Sequence, residues 1–324
     1  MKENFFEIQE YKARIELLEK RFSRYMNNSV TKETIVEYIL QFSRFVPIED
    51  QKLMFLGVLE VLEQIDFWDM ERLRLETEEL VQKIMSKCGN EYVFCGLGNE
   101  GGSGFRLLKM LPLEYRQNNY LLESVLSEND CPQNLVFVDD AISSGKQVVE
   151  IFQEWLGVPV DKRELGRNYV KELPDKAKKI LKKSKVYLGC FLFKTETEKY
   201  ILEKLKHLGI ENAEIVHLKE FCKIFKTKYT SNETAKMLAE RCFFEVGKKI
   251  MFAAYTPRED TENVQAWTNR KLEYAALGYS DAQQTIVYEY NVPTYTLTAL
   301  WKSVNTPCFV WEPLFTRKKS SEEI

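Results

Sequence analysis

The stretch LVFVDDAISSGKQ, residues 135–147, decides the fold of this chain. Four apolar residues predict a buried strand, and two acids, Asp139 and Asp140, follow them directly. A short Ser-Ser-Gly loop then leads into a helix with apolar periodicity. Because ligands of open α/β sheets bind at the carboxyl ends of the strands, this stretch predicts a ligand site together with a strand and a helix.

The residue types of this loop suit a phosphate. A loop that enters a helix offers backbone N–H groups, the positive end of the helix dipole and, at Ser143 and Ser144, two hydroxyls. Gly145 lets the backbone approach a ligand closely. The carboxylates of Asp139 and Asp140 are acceptors that suit the two adjacent hydroxyls of a ribose. Although Asp and Ser also cap ordinary helices, the coincidence of these groups favours a site for a ribose phosphate.

A second glycine-rich loop lies upstream at residues 96–104, between a short apolar strand and an amphipathic helix. The spacing of Gly96, Gly98 and Gly101 also fits a dinucleotide fingerprint, with Glu123 as the acid about twenty residues further on. A dinucleotide-dependent enzyme is therefore an alternative. It leaves the acid pair further along the chain unexplained.

The segment VFVDDAISSGKQ, residues 136–147, resembles the signature of the type I phosphoribosyltransferases, in which four apolar residues and two acids precede a loop of small residues, Ser or Thr, and Gly. The resemblance implies that Asp139 and Asp140 bind the ribose hydroxyls of phosphoribosyl pyrophosphate and act in catalysis. It extends the ribose-phosphate site to Ala141, Ser143, Ser144, Gly145, Lys146 and Gln147. The family usually has Thr and a second Gly where this chain has Ser144 and Lys146, and this departure bears on substrate preference.

The upstream loop resembles the pyrophosphate-binding loop of the same family, which binds through backbone N–H groups. By that resemblance the pyrophosphate-binding residues are Gly98, Asn99, Glu100, Gly101, Gly102 and Ser103. Mg²⁺ commonly bridges such a diphosphate and is the expected cofactor, although the sequence identifies no metal ligands. The expected ligand is a phosphoribosyl compound or a nucleotide.

The order of elements, with helices first and a long insertion after the signature, is similar to that of phosphoribosyltransferase-like effectors of bacterial conflict and anti-phage systems, some associated with retrons. The similarity extends to the segments LGYSDAQQTIVYEYNVPTYTLTALW, residues 277–301, and WEPLFTR, residues 311–317. It implies a role in anti-phage defence and a protein partner in a defence complex. The acceptor would be a nucleotide, a nucleic acid or a protein.

Hydrophobic periodicity divides the chain into two parts. Apolar residues at three- and four-residue steps over residues 4–86 predict four helices joined by short links. From near Gly89, short β-rich runs alternate with helices, which predicts an α/β fold with a doubly wound, mainly parallel sheet of the type I phosphoribosyltransferase kind. The expected division is a helical N-terminal module over 1–88, an α/β domain over 89–316 with a charged helical insertion near 156–184, and a polar tail over 317–324.

Composition narrows the classes of partner. Acidic and basic residues nearly cancel, 49 against 46, so no whole-chain field attracts nucleic acid. The lysine-rich helix predicted after Pro174 either contacts a polyanion or is an ordinary solvated face, which leaves direct nucleic-acid binding open. Seven scattered cysteines without a CxxC pair indicate reduced thiols. With no signal-peptide pattern and no apolar run long enough for a bilayer, the expected location is the cytoplasm, away from membranes.

Two main functions follow from the predicted site. The first is an enzyme that binds a 5-phosphorylated ribose and transfers or releases the ribosyl unit, with Asp139 or Asp140 stabilising an oxocarbenium-like transition state. The second is a catalytically silent module that senses a nucleotide and signals to a partner protein. One observation supports this second, alternative hypothesis: the sequence identifies no catalytic base.

Overall fold

The computed structural model describes two compact units. The described residues are 9–26, 29–89, 91–98, 102–116, 120–128, 133–160, 170–254 and 270–316. The first unit combines residues 1–70 with residues 222–324, and the second comprises residues 71–221.

Helices and strands alternate along most of the described chain. The helices are α1 (Gln9–Phe22), α2 (Lys32–Gln41), α3 (Gln51–Glu63), α4 (Met70–Cys88), α5 (Ser103–Met110), α6 (Leu122–Glu128), α7 (Lys146–Trp155), α8 (Asp175–Lys183), α9 (Glu198–His207), α10 (Glu233–Ala254), α11 (270–276) and α12 (Thr298–Trp301). The strands are β1 (Asp66–Trp68), β2 (Tyr92–Gly96), β3 (Asn134–Ile142), β4 (Lys185–Phe193), β5 (Ala213–Glu220), β6 (Ile286–Tyr288), β7 (Val304–Thr306) and β8 (Phe309–Trp311).

The second unit is built on a four-stranded sheet. Its strands are all parallel and lie in the order β2-β3-β4-β5, which confirms the predicted α/β class with a mainly parallel sheet. The order follows the chain, so the reversal of strand order that defines a doubly wound sheet is not found among these four described strands.

Helices cover both faces of this sheet. On one face, apolar residues of α6 to α9 share a core with β3 residues such as Leu135 and Phe137. Gly189 of β4 alternates with neighbours that face this core, so it points to the opposite face. There a Cβ on Gly189 would lie 2.6 Å from Cδ1 of Ile84 in α4. The fourth N-terminal helix is therefore part of the sheet unit.

The first unit has a separate core in which α1 to α3 pack with α10 and the last strands. Thr31 caps α2, with its hydroxyl accepting a hydrogen bond from the Thr34 N–H at 3.4 Å. This division of the chain differs from the predicted boundary near residue 88, because α1 to α3 bury their apolar faces against residues from beyond position 222. The predicted tail, 317–324, lies outside the described residues.

Helices α3 and α10 of the first unit approach closely at Gly57. A Cβ at this position would lie 2.1 Å from the carbonyl oxygen of Ala235. We expect Gly57→Ala to lower the free energy of unfolding by about 1–3 kcal/mol, because overpacking outweighs the helix propensity of alanine. Urea unfolding followed by circular dichroism measures this, with Glu37→Ala on the exposed face of α2 as the control. A Gly57→Ala protein as stable as the wild type would contradict the close packing.

Within the described ranges, no helix combines the length and the apolar character that crossing a membrane requires.

Candidate functional site

The acid pair lies inside β3, which continues to Ile142. Residues 135–138 are buried, as the apolar run predicted. Asp139 is also buried, with 9 % of its surface exposed, whereas Asp140 is partly exposed. The strand therefore carries one carboxyl group into the protein and leaves its neighbour closer to the solvent.

The carboxylate of Asp139 has two hydrogen-bond donors on one oxygen. Its Oδ1 accepts a bond from the hydroxyl of Ser103 and another from the backbone N–H of Asp140 at 2.9 Å. The Asp140 Oδ1 in turn accepts from the N–H of Ala141 at 2.9 Å. Ser103, predicted as part of the pyrophosphate loop, thus lies in direct contact with the predicted ribose-binding acid.

Burial raises the pKa of the Asp139 carboxyl well above its ordinary value, and the charge of Asp140 raises that pKa further. The hydrogen bond from Ser103 acts in the opposite direction, because it stabilises the ionised form. A buried carboxyl whose charge is disfavoured by its surroundings is common at functional sites.

Cys190 lies beside Asp139 in the sheet, and His217 lies one strand further, beside Cys190. The register pairs Asp139 of β3 with Cys190 of β4, and Cys190 with His217 of β5. Burial and the nearby charge of Asp139 raise the pKa of the Cys190 thiol well above its ordinary value, which favours the neutral thiol. The buried Nδ1 of His217 has no hydrogen-bond partner among the described residues. Sequence reasoning missed Cys190, since only the strand register places it next to the acid.

The loop after β3 makes a tight entry into α7. Gly145 has a left-handed backbone, with φ +68°, and directly precedes the helix. The N–H of Lys146 donates to the Ser144 hydroxyl at 3.3 Å, and both serines of the loop are partly exposed. The Lys146 ammonium lies 3.3 Å from the Glu150 carboxylate, while Gln147 is exposed. The loop thus presents hydroxyls and a helix N-terminus at the carboxyl edge of the sheet.

Glycines let the upstream loop pack closely against β3 and α7. Gly98 has φ +87°, and a Cβ there would lie 3.3 Å from Cδ1 of Ile151 in α7. A Cβ on Gly104, at the start of α5, would lie 2.4 Å from the carbonyl oxygen of Val138. One end of this loop therefore lies against α7, and the other lies against the residue before the acid pair. Asn99, Glu100 and Gly101 lie outside the described residues.

Close packing explains the glycine at position 96, the first glycine of the possible dinucleotide-binding motif. A Cβ on Gly96 would lie 1.9 Å from the ring of Phe105 in α5, and its N–H donates to the Tyr120 carbonyl at 2.7 Å. Glu123, the acid of that alternative, lies 3.9 Å from the ammonium of Lys171. The contact with Phe105 thus explains why position 96 is a glycine. Gly101 lies outside the described residues.

Tyr200 of α9 lies beside Gly145, at the end of the loop that leads from β3 into α7. A Cβ on Gly145 would lie 3.7 Å from Cδ1 of Tyr200, whose side chain is 39 % exposed. Two tryptophans of the first unit have structural contacts: Trp311 packs in its core, with ring centroids 4.9 Å from Phe42, and Trp301 donates to the Thr296 carbonyl at 3.1 Å.

The comparisons with known proteins give one match. The PRTase-CE family model matches residues 13–317, which include the acid pair, both loops and the late segments. No curated protein and no solved structure was found to match the chain. Because the match extends over most of its length, the chain belongs to the PRTase-CE family of phosphoribosyltransferase-like proteins.

Proposed function

We propose that the carboxyl edge of β3 binds phosphoribosyl pyrophosphate and that the protein transfers or releases its ribosyl unit. The observation that carries the proposal is the meeting of the two loops at the acid pair, where Ser103 bonds to Asp139 and Gly145 turns the chain into α7. Each loop ends at a helix N-terminus, which favours anions. The acid pair between them supplies acceptors for hydroxyls.

The 5-phosphate binds at the start of α7 in this proposal. The hydroxyls of Ser143 and Ser144, which are partly exposed, and the first N–H groups of the helix are its donors. The pyrophosphate binds at the start of α5, where the N-cap residue Gly102 makes no side-chain cap and leaves the first N–H groups to a ligand. The ribose then lies between the two sites, against Asp139 and Asp140.

Mg²⁺ is the proposed cofactor. Within the described part of the chain, no three His, Cys, Asp or Glu side chains form a group that could hold a metal ion. Mg²⁺ usually keeps several waters and binds through substrate phosphates, so an ion that enters with the diphosphate fits this donor set. When bound, it would neutralise charge on the leaving pyrophosphate.

Transfer of the ribosyl unit breaks the bond between carbon 1 and the pyrophosphate oxygen, and the electron pair leaves with pyrophosphate. A lone pair of the acceptor forms the new bond to carbon 1, and the proton that the acceptor loses passes to the solvent. With water as the acceptor the product is ribose 5-phosphate. Asp139 and Asp140 would face the positive charge that develops on the ring and stabilise it. When the Asp139 carboxyl is ionised, little water screens this interaction, while the same burial raises the pKa of the carboxyl.

The proposed setting is a bacterial conflict system, in which the protein serves as an effector of anti-phage defence together with a protein partner. The sequence similarity to such effectors supports this setting. The acceptor in that setting is a nucleotide, a nucleic acid or a protein.

Calorimetric titration with phosphoribosyl pyrophosphate and Mg²⁺ tests the proposal, with ribose 5-phosphate and NAD as comparison ligands. We expect the double variant Asp139→Asn/Asp140→Asn to bind the phosphoribosyl ligand about 100-fold more weakly or worse, since a hydrogen bond to a charged group contributes about 1.5–3 kcal/mol. The exposed Asp175→Asn in α8 is the control for loss of a negative charge.

Turnover of the bound ligand separates the remaining possibilities. Release of pyrophosphate that the double variant loses supports the enzyme, and binding without turnover supports a silent sensor. Tight binding of NAD alone, abolished by Gly98→Ala, would overturn the proposal in favour of the dinucleotide enzyme.

A further inference from the structure

Ser103 connects the two halves of the proposed site. It is the first residue of α5, immediately after the glycine loop, and its hydroxyl donates to Oδ1 of Asp139 in β3. We propose that Ser103 is a positioning residue that couples the pyrophosphate half of the site to the ribose half, so that each ligand raises the affinity for the other. This inference rests on the proposed function.

The start of α5 is held firmly against β3. A Cβ on Gly104 would lie 2.4 Å from the Val138 carbonyl oxygen, so the backbone of α5 touches the backbone of β3 one residue before the acid. The N-cap residue, Gly102, makes no side-chain cap. Ser103 is therefore fixed within reach of Asp139 while standing at a helix N-terminus, where an anion is favoured.

A single hydroxyl proton serves two possible acceptors. A serine hydroxyl donates one hydrogen bond at a time, and in this structure it goes to Asp139. A phosphate oxygen at the start of α5 would compete for that proton, because charged oxygens are strong acceptors. Occupation of the pyrophosphate half therefore draws the Ser103 donor away from the acid.

Asp139 is the acceptor that the Ser103 hydroxyl would leave in this competition. Oδ1 of Asp139 already accepts from Ser103 and from the Asp140 N–H, which fills both of its lone pairs. A ribose hydroxyl can donate to this oxygen only after Ser103 leaves it. Pyrophosphate thus opens Oδ1 of Asp139 to a ribose hydroxyl, and a ribose hydroxyl bound at Oδ1 frees Ser103 for the pyrophosphate. Thermodynamic linkage requires the two effects to be equal.

Two titrations with ribose 5-phosphate measure the coupling. The dissociation constant of ribose 5-phosphate is determined with and without saturating pyrophosphate and Mg²⁺. We expect pyrophosphate to tighten ribose 5-phosphate binding by about fivefold or more in the wild type. In Ser103→Ala we expect this ratio to fall to about one, with weaker pyrophosphate binding, because the competing donor is gone. Ser103→Thr keeps a hydroxyl and should keep most of the coupling.

Ser86→Ala is the matched control, since Ser86 is an exposed helical serine of the same unit whose hydroxyl donates to the Lys83 carbonyl. A merely structural role for Ser103 would weaken both ligands alike and leave their ratio unchanged. If the wild type binds both ligands and the ratio survives in Ser103→Ala, this inference alone is overturned. If the wild type binds neither, the proposed function fails with it.

Discussion

Gly145→Ala is expected to lower the free energy of unfolding by about 2–5 kcal/mol, the largest loss among the variants considered. Two causes add. The residue has φ +68°, which an L side chain adopts only with strain, and its Cβ would lie 2.3 Å from Cγ1 of Ile201 in α9. Because the same turn starts α7, the variant should also lose affinity for a ribose phosphate. Chemical denaturation and calorimetric titration measure the two effects.

Gly89→Ala separates the two causes. Gly89 has nearly the same backbone, φ +67°, but nothing lies within 4 Å of its Cβ position. This control should lose only the strain contribution, about 1–2 kcal/mol. In an Ile201→Ala background, which removes the obstructing atoms, Gly145→Ala should cost no more than Gly89→Ala does. Equal losses for Gly145→Ala and Gly89→Ala in the wild-type background would show that the contact with Ile201 imposes no penalty.

Asp139→Asn is expected to stabilise the protein at neutral pH, because the amide carries no charge whose burial the fold disfavours. Burial and the charge of Asp140 raise the pKa of the Asp139 carboxyl in the folded protein above its ordinary value of 3.8. Between the unfolded and folded pKa values the folded state binds more protons, so this group lowers stability as the pH rises through that window. Below pH 3.8 the carboxyl is protonated in both states and the penalty disappears.

Thermal unfolding of the wild type and Asp139→Asn across this pH range measures the effect. The gain from Asp139→Asn should be smallest in acid and should grow as the pH rises above the ordinary pKa of the carboxyl. Asp175→Asn, whose side chain is 93 % exposed, should show no such growth. A variant that is less stable than the wild type at neutral pH would show that the hydrogen bonds to the carboxylate outweigh its burial.

The local part of the site could be predicted from the sequence. Four apolar residues before two acids defined the strand, and a glycine after two serines marked the entry to α7. These signals are short in range: backbone sterics, strand burial and helix capping act within a few residues. The mainly parallel sheet followed from the same pattern of alternating strands and helices.

The rest depended on tertiary placement. The Ser103 hydroxyl reaches Asp139 from another element, and Cys190 lies beside that acid only through the strand register. Neither relation leaves a pattern in the residues themselves. The division of the chain was also beyond the sequence, because apolar periodicity identifies the buried face of α3 but not the partner that covers it, here α10.

The discontinuous first unit has a consequence for synthesis of the protein. Gly57 packs against Ala235, so the helices made first find their partner only after the whole second unit has been translated. At about 5–20 residues per second, this delay is on the order of ten seconds or more. The four described strands of the second unit are all available once β5 emerges, whereas the face of α3 that packs against α10 stays uncovered until α10 is made. Chaperones that shield nascent chains would therefore act mainly on the N-terminal helices.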